Sequence, residues 1–482
     1  MQPHPTSCIA QFGRHTHHMI ALRLLGEGLL ALAICWGLAH AALHKQDSWR
    51  ALWWVTIMIT LPGVGLLFYL LFGLEGSPKP SRLNRAALSL PGIIHHDMPS
   101  SRPYSPWELS GMIAAVPDVP GNRIEPLCDG DQAYPAMLQA IEQATASITL
   151  MTYIFGHDVV GLAFARTLQR ACSRGVAVRV LIDGVGERYS WPSMVSTLQH
   201  LGITARRYPG LRPVLLSGFN RRNHRKLLII DGQTAFSGGL NIRAHHVRAL
   251  AGDAVHHDIH FRITGPVVTH LQAIFAEDWL FATGERLQGP QWYAHAPQQV
   301  GTSCCRTLAT GPQVQEKLKM LLLAAVTQAQ KRLWIQTPYF LPDQSLLDQL
   351  ALAICRGVDV RILIPAKNNL PFVHWASLAQ ARHVLDVGCQ LLLGAGSFNH
   401  GKLFLVDDHY AIIGSMNWDA RSLRLNGELI IECLDANLNA ALSHLWLRNA
   451  QHALPLSEEA IRGWPMAVQV RNALARLFMP IL

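Results

Sequence analysis

Two stretches of this chain carry the same chemistry at the same spacing. NHRKLLIIDGQTAFSGGLN at 223–241 and NHGKLFLVDDHYAIIGSMN at 399–417 both contain the pattern H-x-K-x-x-x-x-D. His224, Lys226 and Asp231 in the first correspond to His400, Lys402 and Asp407 in the second, and each histidine stands 17 residues before an asparagine, Asn241 or Asn417. From the chain's own His, Lys and Asp content the pattern is expected about 0.02 times by chance, so two copies inside a repeat are not background. Lysine is scarce here, 8 residues against 33 arginines. Its presence at both positions points to a compact charge rather than a bidentate fork.

Histidine titrates near neutrality, so one imidazole can attack phosphorus while the other protonates the departing alkoxide. Lys226, Lys402 and the amides of Asn241 and Asn417 suit the non-bridging phosphate oxygens, and they can offset the charge that develops there. That set replaces a metal ion, and neither a metal nor another cofactor is expected. Asp231 and Asp407 complete the candidate catalytic group. Both close apolar runs, however, where a carboxylate often serves local backbone donors instead.

The elements that must position these groups repeat as well. SITLMTYIF at 147–155 matches RLWIQTPYF at 332–340, and RGVAVRVLID at 174–183 matches RGVDVRILIP at 356–365. Each pair reads as strand, helix, strand, with helical spacing over 160–172 and 346–355 closing on Arg-Gly. This grammar predicts an α/β body built from two repeats, 126–290 and 291–482. Alternation along the strand after each motif places His224 and Lys226 on one face. Two ionisable side chains on a buried strand need a reason to be there.

With 50% hydrophobic and 15% charged residues, the 482-residue chain is too apolar for disorder and long enough for more than one domain. A mean hydropathy of +0.17 beside a net charge of +9 suggests membrane segments joined to a part that meets anionic partners. Nine scattered cysteines without CxxC spacing argue against a disulfide framework or zinc module. Residues 51–74 run 24 positions without a charge, long enough to span a bilayer, with Trp49, Trp53 and Trp54 at one end and Pro62-Gly63 to kink the middle. Residues 28–43 form a shorter apolar run that reaches a full span only by including Glu27. The prediction is a tail at 1–18, a two-helix transmembrane hairpin at 19–74 and a Pro/Ser-rich linker at 75–125. Basic residues flanking the hairpin, compared with Lys45 and Arg50 in its connection, favour both ends inside.

The doubled motif resembles the phospholipase D superfamily. The leader LPGVGLLFYLLFG at 61–73, with GFNRRNHRK, HHDIHFRITGPVV, TPYFLPDQSL and NWDARSLRLNGELIIE, resembles more narrowly the bacterial cardiolipin synthase family within it. The resemblance implies a pseudo-two-fold α/β body with the site between its halves and a phosphatidyl-histidine intermediate, with His224 as nucleophile and His400 as acid then base, an assignment that the symmetry of the repeat leaves open to reversal. It implies that Asp258 and Glu428 orient the histidines. It also implies a multi-pass protein of the bacterial inner membrane, its catalytic body cytoplasmic, joining two phosphatidylglycerols into cardiolipin and glycerol. The alternatives are a hydrolase of the same superfamily, or a synthase taking phosphatidylethanolamine with phosphatidylglycerol. The anionic lipid phosphatidylglycerol and the membrane are the expected partners. Nucleic acid is not, because no aromatic-interleaved basic stretch is present. Arg206, Arg207, Arg212, Arg221, Arg222 and Arg225 form a cluster suited to anionic head groups. The C-terminal 471–482 is amphipathic, with packing on the body favoured over the membrane. The chain departs from many relatives at Gly427, where they carry an aromatic residue. It departs again where Arg243, His245 and His246 replace an acidic residue, and these changes bear on donor choice.

Overall fold

The computed structural model describes residues 6–45, 48–74, 105–208, 222–293, 298–311 and 315–478. They belong to a helical unit near the N-terminus and an α/β body that carries both repeats.

In the helical unit, α1 (Thr6–His44) is continuous, so the predicted tail is helical from Thr6 onward. Its portion Leu22–His44 is the helix long and apolar enough to cross a membrane among the described residues. Glu27, which weakened this segment as a candidate span, pairs with Arg23 at 3.0 Å. The run expected to be the stronger span is instead broken into α2 (Ser48–Thr60), α3 (Val64–Phe68) and a wider turn at Tyr69–Gly73. Pro62 has no N–H for the helical ladder, and Gly63 turns to a φ of 77°, so the helix stops and restarts. Ala41, Trp54, Met58, Leu66 and Tyr69 are buried where these pieces pack together, while Leu22, Leu25, Leu29 and Leu32 face outward. Trp54 sets its ring edge-on against Tyr69, with centroids 5.2 Å apart.

Of the predicted linker, residues 75–104 lie outside the described residues. Residues 105–125 belong to the body: a helix at Pro106–Ala114, opened by a capping box between Ser105 and Glu108, then the first strand. The Ser-Pro-x-Glu signal was present in a stretch whose proline content suggested a loop.

Branched aliphatic runs form the strands of the body. The first repeat holds β1 (Val119–Cys128), β2 (Ser147–Thr152), β3 (Ala177–Asp183), β4 (Ala205–Tyr208), β5 (Leu227–Ile230), β6 (Thr234–Gly238) and β7 (Ile259–Thr264). The second holds β8 (Ser303–Ala309), β9 (Arg332–Gln336), β10 (Asp359–Pro365), β11 (Gln390–Gly394), β12 (Leu403–Val406), β13 (Tyr410–Gly414), β14 (Leu429–Leu434) and the short β15 (Leu454–Pro455). All join one sheet. At its centre β1 and β8 pair antiparallel, Val119 opposite Cys305. Outward from β1 run β7, β6, β5, β2, β3 and β4; outward from β8 run β14, β13, β12, β9, β10 and β11, with β15 at the edge. The two halves repeat one order about the centre, which is the predicted pseudo-two-fold. The parallel steps β2–β3 and β9–β10 are joined by helices Val159–Ser173 and Gln344–Cys355, each opened by an aspartate cap, Asp158 or Asp343.

Alternate residues of each motif strand enter different cores. Leu228 and Ile230 join the first repeat's own core, whereas Leu227 and Ile229 enter a core shared with Leu403, Leu405, Leu429 and Ile431 of the second. The C-terminal helix Met466–Leu477 packs on Pro371–Asp386, with the Arg471 guanidinium 4.5 Å from the Trp375 ring centroid and Arg476 bonded to His383 at 2.7 Å. Residues 479–482 lie outside the described residues.

Candidate active site

Each motif enters its strand from a loop pinned across the two halves. Asn223 bridges Gly427, and its counterpart in the second repeat, Asn399, bridges His257 in the same manner. The amide of His224 donates to Gly427 O at 2.8 Å, and that of His400 to His257 O at 2.6 Å. Both histidines are therefore held by backbone from the opposite repeat.

The acidic partners cross over in the same way. Nδ1 of His400 lies 2.6 Å from Asp258 of the first repeat, and Nδ1 of His224 lies 3.0 Å from Glu428 of the second. Sequence order had placed each acid after the histidine of its own half. The sheet order brings β7 and β14 to the centre and so exchanges them. Both carboxylates are fully buried. Burial alone would raise Asp258, but Lys402 and His400 outweigh it and hold the carboxyl below its usual range. Glu428 is lowered likewise, by His224, Lys226 and a hydrogen bond from Ser415 at 2.6 Å.

The glycines before each asparagine make room for these acids. Gly238 and Gly414 adopt φ values of 153° and 137°, and a side chain at either would strike the backbone of the next strand. A Cβ at Gly239 would meet the Asp258 carboxylate, whereas the corresponding Ser415 uses its hydroxyl to donate to Glu428.

Lys226 and Lys402 are buried beside the imidazoles. Lys226 Nζ donates to His224 O at 2.6 Å; Lys402 Nζ donates to His400 O and lies 2.8 Å from its Nδ1. Burial and mutual repulsion, against attraction from Glu428 and Asp258, bring Lys226 to about 7; burial brings Lys402 to about 8. Burial, reinforced by the lysines, pulls His224 to about 4 and His400 to about 3. Near neutral pH the site presents two uncharged imidazoles and a positive field from the lysines. Asn241 accepts from Ile154 N at 3.1 Å through its oxygen, which orients its amide nitrogen; Asn417 sits at the matching position and bonds Asp419.

Asp231 and Asp407 stand apart from this group. Each lies past the far end of its strand at a φ near 50°. Asp231 accepts from the amides of Thr145, Ala146 and Ser147, and Asp407 from those of Gln330, Lys331 and Arg332. Their place is in the fold, pinning the start of β2 and β9. Of the arginine cluster, Arg212 and Arg221 lie outside the described residues, Arg207 pairs with Glu187, and Arg225 is buried against Asp278, Thr310 O and Glu428 O. Arg225 is thus a packing residue and not a head-group contact. Its guanidinium occupies the space next to Gly427, with 3.4 Å left to an added Cβ.

Two residues that the sequence reading took only as strand ends belong to the site. Tyr153 and Tyr339 set their rings edge-on against His224 and His400, with centroids 5.3 and 6.2 Å apart. Their signal was the repeat itself, TYIF against TPYF.

Two halves in pseudo-two-fold order, each delivering a histidine and a lysine to one buried centre, define a phospholipase D-like protein. The fold is shared with the phosphatidylserine synthase of Haemophilus influenzae Rd KW20, at a TM-score of 0.62 and 17% identity over 78% of this chain and all of that one. Residues 137–279 and 322–446 match the family described as cardiolipin synthase, PLD-like domain. Cardiolipin synthase of Geobacillus thermodenitrificans (strain NG80-2) is 30% identical, covering 97% of this chain and 96% of the relative. Cardiolipin synthase A of Pseudomonas putida is 30% identical over 94% of this chain and 97% of its own length. The chain belongs to the cardiolipin synthase family of phospholipase D-like proteins.

Proposed function

We propose that the protein is a membrane-anchored phosphatidyltransferase that joins two phosphatidylglycerol molecules into cardiolipin and releases glycerol. His224 attacks the phosphorus of the first lipid, forming a P–N bond as the P–O bond to the glycerol head group breaks. His400 gives that oxygen its proton. In the second step His400 takes the proton of a hydroxyl on the second phosphatidylglycerol, and that oxygen displaces His224 to form cardiolipin. The observation that carries this reading is the crossed pairing of each histidine with a buried acid of the other half. It fixes both imidazoles in one site with Nδ1 occupied and leaves Nε2 for the phosphorus and the alkoxide.

Lys226, Lys402, Asn241 and Asn417 hold the non-bridging oxygens, where fixed donors in a dry site stabilise developing charge most strongly. The bound phosphodiester brings a negative charge beside His400 and favours the protonated form the leaving glycerol needs. Transfer outruns hydrolysis because an enzyme anchored at the bilayer presents its intermediate to lipid hydroxyls at high effective concentration. The anchor is read as multi-pass in the inner membrane, α1 forming one span and the broken segment after it the return, with the body on the cytoplasmic side.

The test is lipid mass analysis of the purified protein in vesicles of labelled phosphatidylglycerol, beside His400→Ala. Cardiolipin and free glycerol are expected from the unsubstituted enzyme, with a loss of at least about a thousandfold in the variant. Phosphatidic acid in place of cardiolipin would make the protein a hydrolase. Turnover only when phosphatidylethanolamine is added would assign that lipid as donor.

A further inference from the structure

The internal repeat sets NIRAHHVR at 241–248 on NWDARSLR at 417–424, so Arg243 stands where Asp419 does and His245 where Arg421 does. The backbone keeps the correspondence: Gly427 N donates to Arg222 O at 2.8 Å, and His257 N to Phe398 O at 2.9 Å. Phe398 beside His400 is therefore the counterpart of Arg222 beside His224. The two sides of the site differ in chemistry. On the His224 side the basic groups are arginines, with the carboxylate of Asp419 among them; burial and Arg222 pull Arg421 down to about 10.

On the His400 side a chain of rings leads outward. Phe398 lies 5.7 Å from His400 by ring centroids, His256 5.1 Å from Phe398, and His245 5.5 Å from His256. The amide of His256 donates to His245 O at 2.8 Å, and Nδ1 of His246 lies 2.9 Å from His256 O. Arg243 adds its charge to the same place. Burial, then His246, His245 and Arg243, pull His256 down to about 4, so this neighbourhood resists a further proton until an anion arrives. The nearby carboxylates serve other partners: Asp258 holds His400, Asp129 holds His257 at 2.8 Å, and Asp158 caps backbone amides. Nε of Arg243 is buried and has no hydrogen-bond partner. A buried guanidinium N–H without an acceptor is costly, and an anionic ligand would satisfy it.

We propose that Arg243, His245 and His256 form the site for the second phosphate of the reaction, the phosphodiester already carried by the acceptor lipid. The inference rests on the transferase reading above, with His400 as the group that activates the acceptor hydroxyl. In phosphatidylglycerol that hydroxyl and the phosphate are attached to opposite ends of one three-carbon glycerol, a separation on the order of 5 to 6 Å from standard bond lengths. An acceptor whose hydroxyl reaches His400 therefore carries its phosphate past Phe398, toward the imidazoles. The reacting phosphate is held by the lysines; the acceptor's phosphate needs separate cations, and these three side chains supply them.

The experiment offers two acceptors at once. Full-length enzyme in phosphatidylglycerol vesicles is given n-butanol, and the ratio of cardiolipin to phosphatidylbutanol is measured for the unsubstituted protein, Arg243→Gln, Arg243→Lys and His256→Gln. Butanol carries no phosphate, so the ratio should fall at least tenfold in Arg243→Gln and in His256→Gln and recover in part in Arg243→Lys. A ratio does not depend on how much of each variant folds and inserts, and either glutamine variant alone suffices should the other fail to accumulate. Equal loss of both products, leaving the ratio unchanged, would overturn the proposal and leave the transferase reading standing. Phosphatidylbutanol without any cardiolipin from the unsubstituted enzyme would overturn the reading of the acceptor itself, and the inference with it.

Discussion

On the proposed mechanism, two lysines buried against two imidazoles set the working pH of the site. His224 at about 4 and His400 at about 3 are neutral from mildly acidic pH upward, so the nucleophile is available there. Lys226 at about 7 and Lys402 at about 8 lose their protons as pH rises through that range, and with them goes the positive field proposed to hold the phosphate. The value of kcat/KM should therefore decline above about 7 to 8 as the lysines lose their charge, more steeply than the proton uptake by His400 alone requires. Bound substrate carries a negative charge that raises the lysines, so the alkaline limb of kcat should lie above that of kcat/KM. Initial rates of cardiolipin formation from pH 4 to 9 test this. A kcat/KM profile flat to pH 9 would mean that the lysines stay charged throughout, or that their charge does not matter. The histidines and lysines were legible in the sequence because residue type, spacing and strand alternation are local facts. Arg225 was misassigned although the same alternation puts it on the face opposite His224 and Lys226, where it pairs with Asp278.

At the scale of elements, the last residue of the H-x-K-x-x-x-x-D pattern separates from the first two. Asp231 and Asp407 gather backbone amides at the turn into β2 and β9, beyond the other end of β5 and β12. Asp231 receives hydrogen bonds from three amides and from the Thr145 hydroxyl; converting it to asparagine removes the charge and turns one acceptor into a donor. Each charge-assisted bond contributes roughly 1.5 to 3 kcal/mol, so Asp231→Asn should destabilise the body by about 2 kcal/mol or more. A thermal midpoint several degrees lower is the expected result, with kcat per folded enzyme changed less than about fivefold. A loss of kcat as large as that of His400→Ala, at an unchanged midpoint, would return Asp231 to the reaction. Constant spacing groups the three residues, although both aspartates close apolar runs where a carboxylate often serves backbone donors. A five-residue step along a strand instead carries the third to the opposite end, which only the strand assignment makes visible. The N-terminal segments show the converse: counting uncharged residues ranked 51–74 above 28–43, but Pro62 and Gly63 divide the longer run, and among the described residues α1 is the helix long and apolar enough to cross a membrane.

Across the whole molecule, the two repeats form one catalytic unit. Their sheet is continuous through β1 and β8, and the core between them takes Leu227, Ile229 and Ile259 from one half and Leu403, Leu405, Leu429 and Ile431 from the other. Each such side chain loses about 1.5 to 3 kcal/mol of burial when exposed, so neither half is stable with that face open to water. The sequence announced two copies of one motif; it could not announce that each copy borrows its acid from the other, because that depends on strand order across the centre. Asp258 follows His224 by 34 residues and serves His400, while Glu428 follows His400 by 28 and serves His224. Residues 1–293 and 298–482 produced as separate chains should therefore each be inactive, even though each retains a complete His and Lys pair. Produced together, the two should re-form the sheet and recover cardiolipin synthesis to a measurable fraction of the intact enzyme. If pairing restores activity, co-producing the first piece carrying Asp258→Asn with a normal second piece should lose it again, because the altered acid belongs to the histidine on the other chain. Activity from either piece alone at its own concentration would mean that one motif suffices, and the crossed acids would then be an arrangement of the fold without a part in the chemistry.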